Sequence, residues 1–232
     1  MVGAIHQGRK PDACIMHGYS TDSNERRFVP LLLAALAIVC AWAFSKLMAV
    51  LHFSVPWWLD APSSLAFYGV LYALFDKHLW RNRVVHKLGL SRIPNLTGRW
   101  CGFLVSSYDD HAKRYDVLLQ IFQSWTQISI YFTTMTSMSR SCVAEIQVAN
   151  LEGVSLIYQY ENQPLSYAVK SMHMHYGTAM LHLSDEDTLT GEYYTGRDRR
   201  THGRICCWRE HRGRVTRHLH IPEIVGRKRK AS

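Results

Sequence analysis

The stretch Leu189–Arg200, LTGEYYTGRDRR, concentrates two tyrosines and three arginines around a turn. An arginine guanidinium is a planar fork that matches phosphate oxygens, and a tyrosine offers a ring face for stacking and a hydroxyl for hydrogen bonding. These groups together suit a nucleotide. Because side chains alternate along a strand, Tyr193 and Tyr194 face opposite ways, and at most one of them lines an interior. The alternative is a solvated basic turn with one tyrosine in the core.

A second group of aromatic and polar residues lies in three other stretches of the chain, and its members are Trp125, Thr126, Gln127, Tyr158, Tyr160, Asn162, Ser106, Ser107 and Tyr108. Several of these side chains are expected to face inward together. Stacking of a base on an aromatic side chain contributes about 1 to 3 kcal/mol, so two such platforms and an arginine would bind a dinucleotide. The alternative is that these residues are ordinary strand formers, since Tyr, Trp and Thr are common in strands.

Histidines at alternate positions, His173 and His175, together with His182 and Glu192, raise the question of a metal site or a general base. Imidazole binds divalent metals, but the chain has no HExxH or comparable spacing, and its six cysteines form no CxxC pair. GxSxG and Walker-type loops are also missing from the sequence. The sequence therefore predicts a protein that is not an enzyme and that holds no metal and no cofactor, and the rejected rival is a metal-dependent hydrolase.

Residues after the linker KLGLSRIPN alternate between apolar and polar, with turn residues every eight to twelve positions. Candidate strands begin near eight residues: Gly98, Tyr115, Trp125, Ser141, Val154, Thr178, Thr188 and Arg204. Eight antiparallel strands close into a barrel that is filled by side chains or holds one small ligand. The predicted fold class is therefore all-β, an approximately eight-stranded closed antiparallel β-barrel preceded by an N-terminal two-helix transmembrane hairpin.

Two apolar stretches come before this domain. Phe28–Ser45 carries no charge, and with Lys46 the apolar run extends to Phe53, which is long enough to cross a hydrocarbon core. The second stretch, Trp57–Phe75, is weaker because Asp60 and a proline interrupt its start. We expect both to cross the membrane. A buried soluble hairpin is the alternative, but a soluble helix would show a polar stripe, and the first run has none.

Lysine and arginine positions predict the orientation of the hairpin. Four basic residues precede the first span, none lies between Ser54 and Ala61, and four follow the second span, which predicts that both termini are cytoplasmic. The formal net charge of +9 indicates an acidic partner, such as nucleic acid, a nucleotide or anionic lipid. The basic cluster Arg227–Lys230 is interpreted as part of a solvated tail.

These patterns divide the chain into five segments. They are a polar N-terminal leader at residues 1–27, two transmembrane helices at residues 28–80, a linker at residues 81–94, the ligand-binding β-barrel at residues 95–221 and a basic tail at residues 222–232.

From Phe28 to Trp208, the order of two spans followed by PNLTGRW, QSWTQISI, LIYQYENQP, HYGTAMLHL and LTGEYYTGR resembles one family. It is the family of two-transmembrane, β-strand-rich effectors of bacterial cyclic-oligonucleotide-based anti-phage signalling systems (CBASS). The resemblance implies that a nucleotidyltransferase makes a cyclic dinucleotide on infection and that the barrel binds it. The effectors then self-associate and disrupt the inner membrane, which kills the infected cell. A leader of 27 residues is long if the spans of the family begin close to the N-terminus.

On this resemblance the partners are a cyclic dinucleotide second messenger, the lipid bilayer, further copies of the chain and a cyclic-nucleotide synthase, and they include no nucleic acid polymer. The location is the bacterial inner membrane, as a multi-pass protein. The expected ligand-binding residues are Trp125, Tyr160, Asn162, Tyr194, Thr195, Arg197 and Arg199. The rival interpretation is a membrane-tethered lipocalin-like barrel that binds a small hydrophobic ligand, and it rests on the G-x-W opening at Gly98 and Trp100. That rival predicts an apolar lumen with no need for the two arginines.

Overall fold

The computed structural model describes residues 16–52, 57–149, 153–169, 172–185, 187–196 and 199–211. Residues 1–15 of the predicted leader, the predicted basic tail and Arg197 therefore lie outside the described residues. The helices are α1 (Glu25–Val50), α2 (Trp57–Lys77) and the short α3 (Arg83–Lys87).

Among the described residues, ten strands form one sheet. They are β1 (His17–Gly18), β2 (Ser20–Thr21), β3 (Gly98–Ser106), β4 (Tyr115–Gln123), β5 (Gln127–Thr133), β6 (Ser137–Gln147), β7 (Ser155–Pro164), β8 (His175–Asp185), β9 (Thr188–Thr195) and β10 (His202–His211). Strands β3 to β10 pair antiparallel in chain order, and both the β10–β3 and β5–β6 pairings are present, so the eight strands close on themselves. The predicted eight-stranded antiparallel barrel is confirmed.

Alternation along the strands fills the barrel with apolar side chains. Leu119 and Ile121 of β4, Ile128 and Ile130 of β5 and Leu181 of β8 are among those with almost no exposed surface. Because every second residue points inward, eight short strands supply a continuous core without any long apolar run.

One end of the barrel is plugged by large side chains. Trp80, Trp100 and Trp125 are essentially unexposed there, together with Ile93 and Leu96 of the segment that enters β3. The indole N–H of Trp100 donates to the carbonyl oxygen of Leu96 at 3.1 Å, which satisfies the polar atom of this buried ring. Trp100 therefore packs as a plug at this end of the barrel.

The seam between β5 and β6 is closed by residues from the predicted leader. The two strands pair directly only from Tyr131–Thr133 to Met138–Arg140. Beyond that point β1 pairs antiparallel with β5, and β2 pairs parallel with β6. We call residues 17–22 the strap. Its last residue, Asp22, accepts hydrogen bonds from two backbone N–H groups that follow β6, at 2.8 and 2.9 Å.

The two long helices pack on each other and leave most of their apolar surface uncovered. Every fourth residue of α1 from Val29 to Ala41 is buried, whereas Leu31 is 72% exposed and Val50 is 75% exposed. The rings of Phe44 and Phe67 meet edge to face at 6.0 Å, which joins α1 to α2. Within the described part of the chain, α1 is the one helix that meets the length and hydropathy expected of a membrane span.

Replacing the plug should destabilise the barrel. Trp100→Ala removes a fully buried ring and leaves a cavity, so we expect the free energy of unfolding to fall by about 3 to 5 kcal/mol. The matched control is Trp208→Ala, because Trp208 is 36% exposed and its loss should cost clearly less. Thermal unfolding of the detergent-solubilised full chain measures both effects. Equal losses in the two variants would contradict the assignment of Trp100 as the plug.

Candidate functional site

The end of the barrel opposite the tryptophan plug opens into a pocket of about 400 Å³. Leu104, Phe132, Tyr158 and Ile205 line its interior with apolar and aromatic side chains, and the last three of them are buried. Polar and charged residues lie closer to the opening, and they include Ser106, Tyr108, Arg114, Asp116, Ser137, Ser139, Asn162, His175, Thr195, Arg199 and Thr201. The pocket is therefore apolar inside with a polar and partly basic opening.

Tyr158 and Tyr160 of β7 lie side by side on the pocket wall, with ring centroids 6.0 Å apart. Burial raises the pKa of both hydroxyls, so both are neutral and able to donate a hydrogen bond at pH 7. The Tyr160 ring lies over Gly177 of β8, where an added Cβ would come within 2.4 Å of the ring. A glycine at this position lets the ring lie flat against the sheet.

Asn162 is a buried amide at the mouth end of β7. Its Oδ1 accepts a hydrogen bond from the Ser139 hydroxyl at 2.8 Å, and its Nδ2 donates to the sulfur of Met172 at 3.3 Å. A thioether is a weak acceptor. The amide of Asn162 therefore has donor capacity to offer to a ligand in the pocket.

Arg199 is held at the opening by the turn that joins β9 to β10. The Thr195 hydroxyl donates to the carbonyl oxygen of Thr201 at 3.1 Å and accepts from its backbone N–H at 2.8 Å, which closes the turn. The guanidinium of Arg199 lies 5.5 Å from the centroid of the Tyr108 ring. Tyr108 is itself 65% exposed, so a cation and an open ring face stand together at the rim.

His175 at the start of β8 adds a titratable group to the lining. Its Nδ1–H donates to the carbonyl oxygen of His173 at 2.9 Å, which leaves Nε2 as an acceptor in the neutral ring. Burial, together with the positive charge of Arg199, holds the pKa of His175 below its usual value of 6.5. The imidazole is therefore neutral at pH 7.

The structure brings four of the seven predicted site residues into one pocket: Tyr160, Asn162, Thr195 and Arg199. Two others lie elsewhere. Trp125 is 1% exposed at the plugged end, because the turn that carries it packs against the helices. Tyr194 is 60% exposed on the outside of β9, and its neighbour Tyr193 lines the pocket. The seventh, Arg197, is not among the described residues.

Tyr193 was identifiable from the sequence, because Leu189 is apolar and shares its face of β9. Leu189 is fully buried, and alternation from it places Tyr193 and Thr195 inward. Arg114 precedes β4 in a loop, where no periodicity indicates direction. Tyr108 lies in a single 3₁₀ turn after β3 and is equally hard to place.

The histidines do not gather into a cluster. His182 is joined to Ser155 by a hydrogen bond of 2.9 Å outside the pocket, whereas His175 lines it. Across the described ranges, no group of three or more His, Cys, Asp or Glu side chains is placed to hold a metal ion.

Two family models match the chain. The model described as "Cap15, cyclic dinucleotide receptor domain" matches residues 91–209, which are just over half of the chain, and "Cap15, TM helices" matches residues 28–81. The chain is also 33% identical over 139 residues to "CD-NTase-associated protein 15" of Yersinia aleksiciae. That alignment covers 57% of this chain and 62% of the Yersinia protein, which is less than two thirds of its length. The eight-stranded barrel agrees with the match to the receptor domain, and the apolar helix before it agrees with the match to the TM helices. The chain therefore belongs to the Cap15 family of cyclic dinucleotide receptor domains with TM helices.

Proposed function

We propose that this chain is a membrane effector of a CBASS anti-phage system that binds a cyclic dinucleotide in the barrel pocket and then self-associates to disrupt the inner membrane. The observation that carries the proposal is the pocket itself. It combines an aromatic interior with Arg199 and Arg114 at its opening, at the end of the barrel away from the apolar helices. A nucleotide needs this combination, since its bases stack and its phosphates pair with guanidinium groups.

In the proposed complex a base enters beside Tyr160 and Tyr193, and the phosphates remain near the arginines at the rim. The Asn162 amide and the tyrosine hydroxyls then hydrogen-bond the edge of the base. Desolvation raises the pKa of both tyrosine hydroxyls, so both are neutral at pH 7 and present donors in a low-dielectric interior, where a hydrogen bond is stronger than in water.

The rival, a lipocalin-like barrel for a hydrophobic ligand, is less well supported by the lining. Leu104, Phe132 and Ile205 would suit an apolar molecule. Such a molecule would, however, cover Asn162 and Arg199 without offering them hydrogen-bond partners, and covering polar groups in this way costs free energy. A polar ligand with both ring and phosphate groups uses the whole lining.

The hairpin would carry out the response. We propose that α1 and α2 both cross the inner membrane and that both termini are cytoplasmic, which places the barrel in the same compartment as a cyclic-nucleotide synthase. The exposed apolar side chains of α1 support its crossing of the membrane. The basic residues that flank the two helices support the orientation. To drive self-association, the ligand must bind the assembled form more tightly than the monomer, since a ligand that binds both equally does not shift the equilibrium between them.

Removing the rim cation should weaken ligand binding. Arg199→Ala deletes a charge-assisted contact, so we expect the dissociation constant of the preferred cyclic dinucleotide to rise about 10- to 100-fold. Arg204→Ala is the matched control, because Arg204 pairs with Glu192 on the outer surface and its side chain is 79% exposed. Calorimetric titration of the full chain with a panel of cyclic dinucleotides measures both. An equal effect of the two substitutions would point to general electrostatic attraction instead of a contact at this site.

Neighbouring tyrosines offer a second matched comparison. Tyr193→Ala removes an aromatic ring that lines the pocket and should weaken binding about 10-fold or more, on the scale of a lost stacking contact. Tyr194→Ala removes an exposed ring on the other face of the same strand and should leave affinity unchanged. The same titration tests both variants. A larger effect at Tyr194 would place the ligand outside the barrel.

Affinity should also depend on pH through His175. The pKa of the His175 imidazole lies below 6.5 in the folded, ligand-free protein. When the pH falls through 6.5, the unfolded chain therefore takes up a proton before the folded chain does, and the free energy of unfolding of the ligand-free protein decreases. Bound phosphates favour the protonated ring, so ligand binding takes up a proton and becomes tighter as the pH falls toward that pKa. His175→Gln should flatten this dependence, whereas His182→Gln should not. Titrations in buffers of different ionisation enthalpy detect the proton uptake, and their agreement for the unsubstituted chain would exclude this role for His175.

A further inference from the structure

We infer that Trp125 is a positioning residue that joins the plugged end of the barrel to both long helices, so that barrel and hairpin move as one body when the effector responds to ligand. The inference rests on the proposed function and adds the element that carries the response from barrel to membrane. Trp125 lies at the opposite end of the barrel from the pocket, so its role differs from that of the lining residues.

Each polar group of Trp125 is hydrogen-bonded to the N-terminal region or to α2. Its indole N–H donates to Oε1 of Glu25 in α1 at 2.6 Å, and its backbone N–H donates to the carbonyl oxygen of Asp76 in α2 at 3.0 Å. Its own carbonyl oxygen accepts from the hydroxyl of Tyr19 in the strap at 2.8 Å and from the guanidinium of Arg26 in α1 at 3.0 Å. One residue of the β4–β5 turn therefore bonds to the strap and to both long helices.

The indole ring packs on α2 as well. It meets Phe75 edge to face at 5.0 Å and Tyr72 at 6.2 Å. With 1% of its surface exposed, the ring has no room to turn without displacing these neighbours. We call these contacts of Trp125 with the strap, α1 and α2 the joint. Aromatic packing therefore stabilises the joint in addition to hydrogen bonds.

Glu25 disfavours partial separation of α1 from the barrel. Its carboxylate is 1% exposed and also accepts from the hydroxyls of Ser23 and Ser91 at 3.0 and 3.1 Å and from the backbone N–H of Arg92 at 2.6 Å. A buried charge is tolerated only while donors surround it, and removing them leaves the charge uncompensated. Separation of α1 from the barrel would strip donors from Glu25, so intermediate positions are disfavoured.

Asp76 secures the same turn from the other helix. Its Oδ1 accepts from the backbone N–H and the hydroxyl of Thr126 at 2.9 and 2.7 Å and from the hydroxyl of Ser124 at 3.1 Å. The residues on both sides of Trp125 are therefore hydrogen-bonded to α2. The carboxylates of Glu25 and Asp76 thus both accept hydrogen bonds from the short turn between β4 and β5.

The strands that leave this turn reach the pocket. Asp116 at the far end of β4 and Phe132 at the far end of β5 both line it. The β4–β5 pair therefore carries the joint at one end and part of the ligand site at the other. A barrel displaced by ligand-driven contacts with other copies would turn its helices with it through this pair.

The test uses the full chain in dye-loaded vesicles, with cyclic dinucleotide affinity measured in parallel. Trp125→Phe keeps an aromatic side chain but replaces the indole with a smaller ring that has no N–H, and Glu25→Gln replaces one acceptor oxygen with a donor. In both variants the affinity should stay within about twofold, because the joint is remote from the pocket. Ligand-induced dye release should fall about 10-fold or more, on the scale of a lost coupling free energy. Trp208→Phe and Glu192→Gln are matched controls on the barrel surface and should release dye like the unsubstituted chain.

A reversible cross-link separates a positioning role from simple loss of stability. Gly18 of β1 and Gln127 of β5 are register partners, both are exposed, and an added Cβ at Gly18 meets no atom within 4 Å. With Cys14 and Cys142 replaced by serine, a disulfide between Gly18→Cys and Gln127→Cys would bind the strap, and with it α1, to the barrel. The oxidised cross-link should restore dye release to Trp125→Phe, and a reductant should abolish it again. The same cross-link should leave release unchanged when Trp125 is present.

Two outcomes would overturn the inference while leaving the proposed function intact. One is normal release by both Trp125→Phe and Glu25→Gln. The other is loss of release when the cross-link is formed in the presence of Trp125, which would mean that the strap must separate from β5. If the unsubstituted chain binds a cyclic dinucleotide and releases no dye, the proposed function itself fails and the inference fails with it.

Discussion

A buried carboxylate at the first turn of a membrane helix sets the arrangement of this molecule. Glu25 is enclosed by donors from Trp125, Ser91, Arg92 and Ser23, and a charge buried in this way persists only while those donors stay in place. Removal of one partner of a buried charge typically costs about 3 to 5 kcal/mol. The first turn of α1 is therefore held against the β4–β5 turn by hydrogen bonds whose loss would leave the carboxylate of Glu25 without its donors.

This attachment gives the barrel two different ends. Trp80, Trp100 and Trp125 fill the attached end, and the opposite end remains open with the pocket inside it. A ligand site on the far side of a closed barrel cannot touch the membrane segment directly. The proposed response must therefore travel either through the wall of the barrel or through contacts between barrels, and within the wall the β4–β5 pair carries Trp125 at one end and the pocket residues Asp116 and Phe132 at the other.

Sequence patterns predicted the elements with regular periodicity. Eight alternating stretches correspond to the eight barrel strands, and the uncharged run after Phe28 lies in α1. Burial of every second side chain of a strand produces alternation in the sequence, and a helix with apolar surroundings produces a continuous apolar run, so both could be recognised. The strap could not be predicted in this way, since strands of two residues are too short to show a hydrophobic period. Trp125 was interpreted as a stacking platform, yet an indole beside threonine and glutamine looks the same whether it faces a nucleotide or a helix. Its partners Glu25, Phe75 and Asp76 come from distant parts of the chain, so only tertiary packing distinguishes the two cases.

Hydrogen exchange of the full chain in bilayer discs, with and without the cyclic dinucleotide that binds, is the most direct test of this division between a ligand end and a membrane end. If the ligand binds in the pocket, exchange should slow at the mouth ends of β7 and β9, around Tyr160, Asn162 and Tyr193, and should not change at the β4–β5 turn that holds Trp125. Slower exchange at that turn, with no slowing at the mouth, would place the ligand at the plugged end of the barrel and would contradict a ligand site in the pocket.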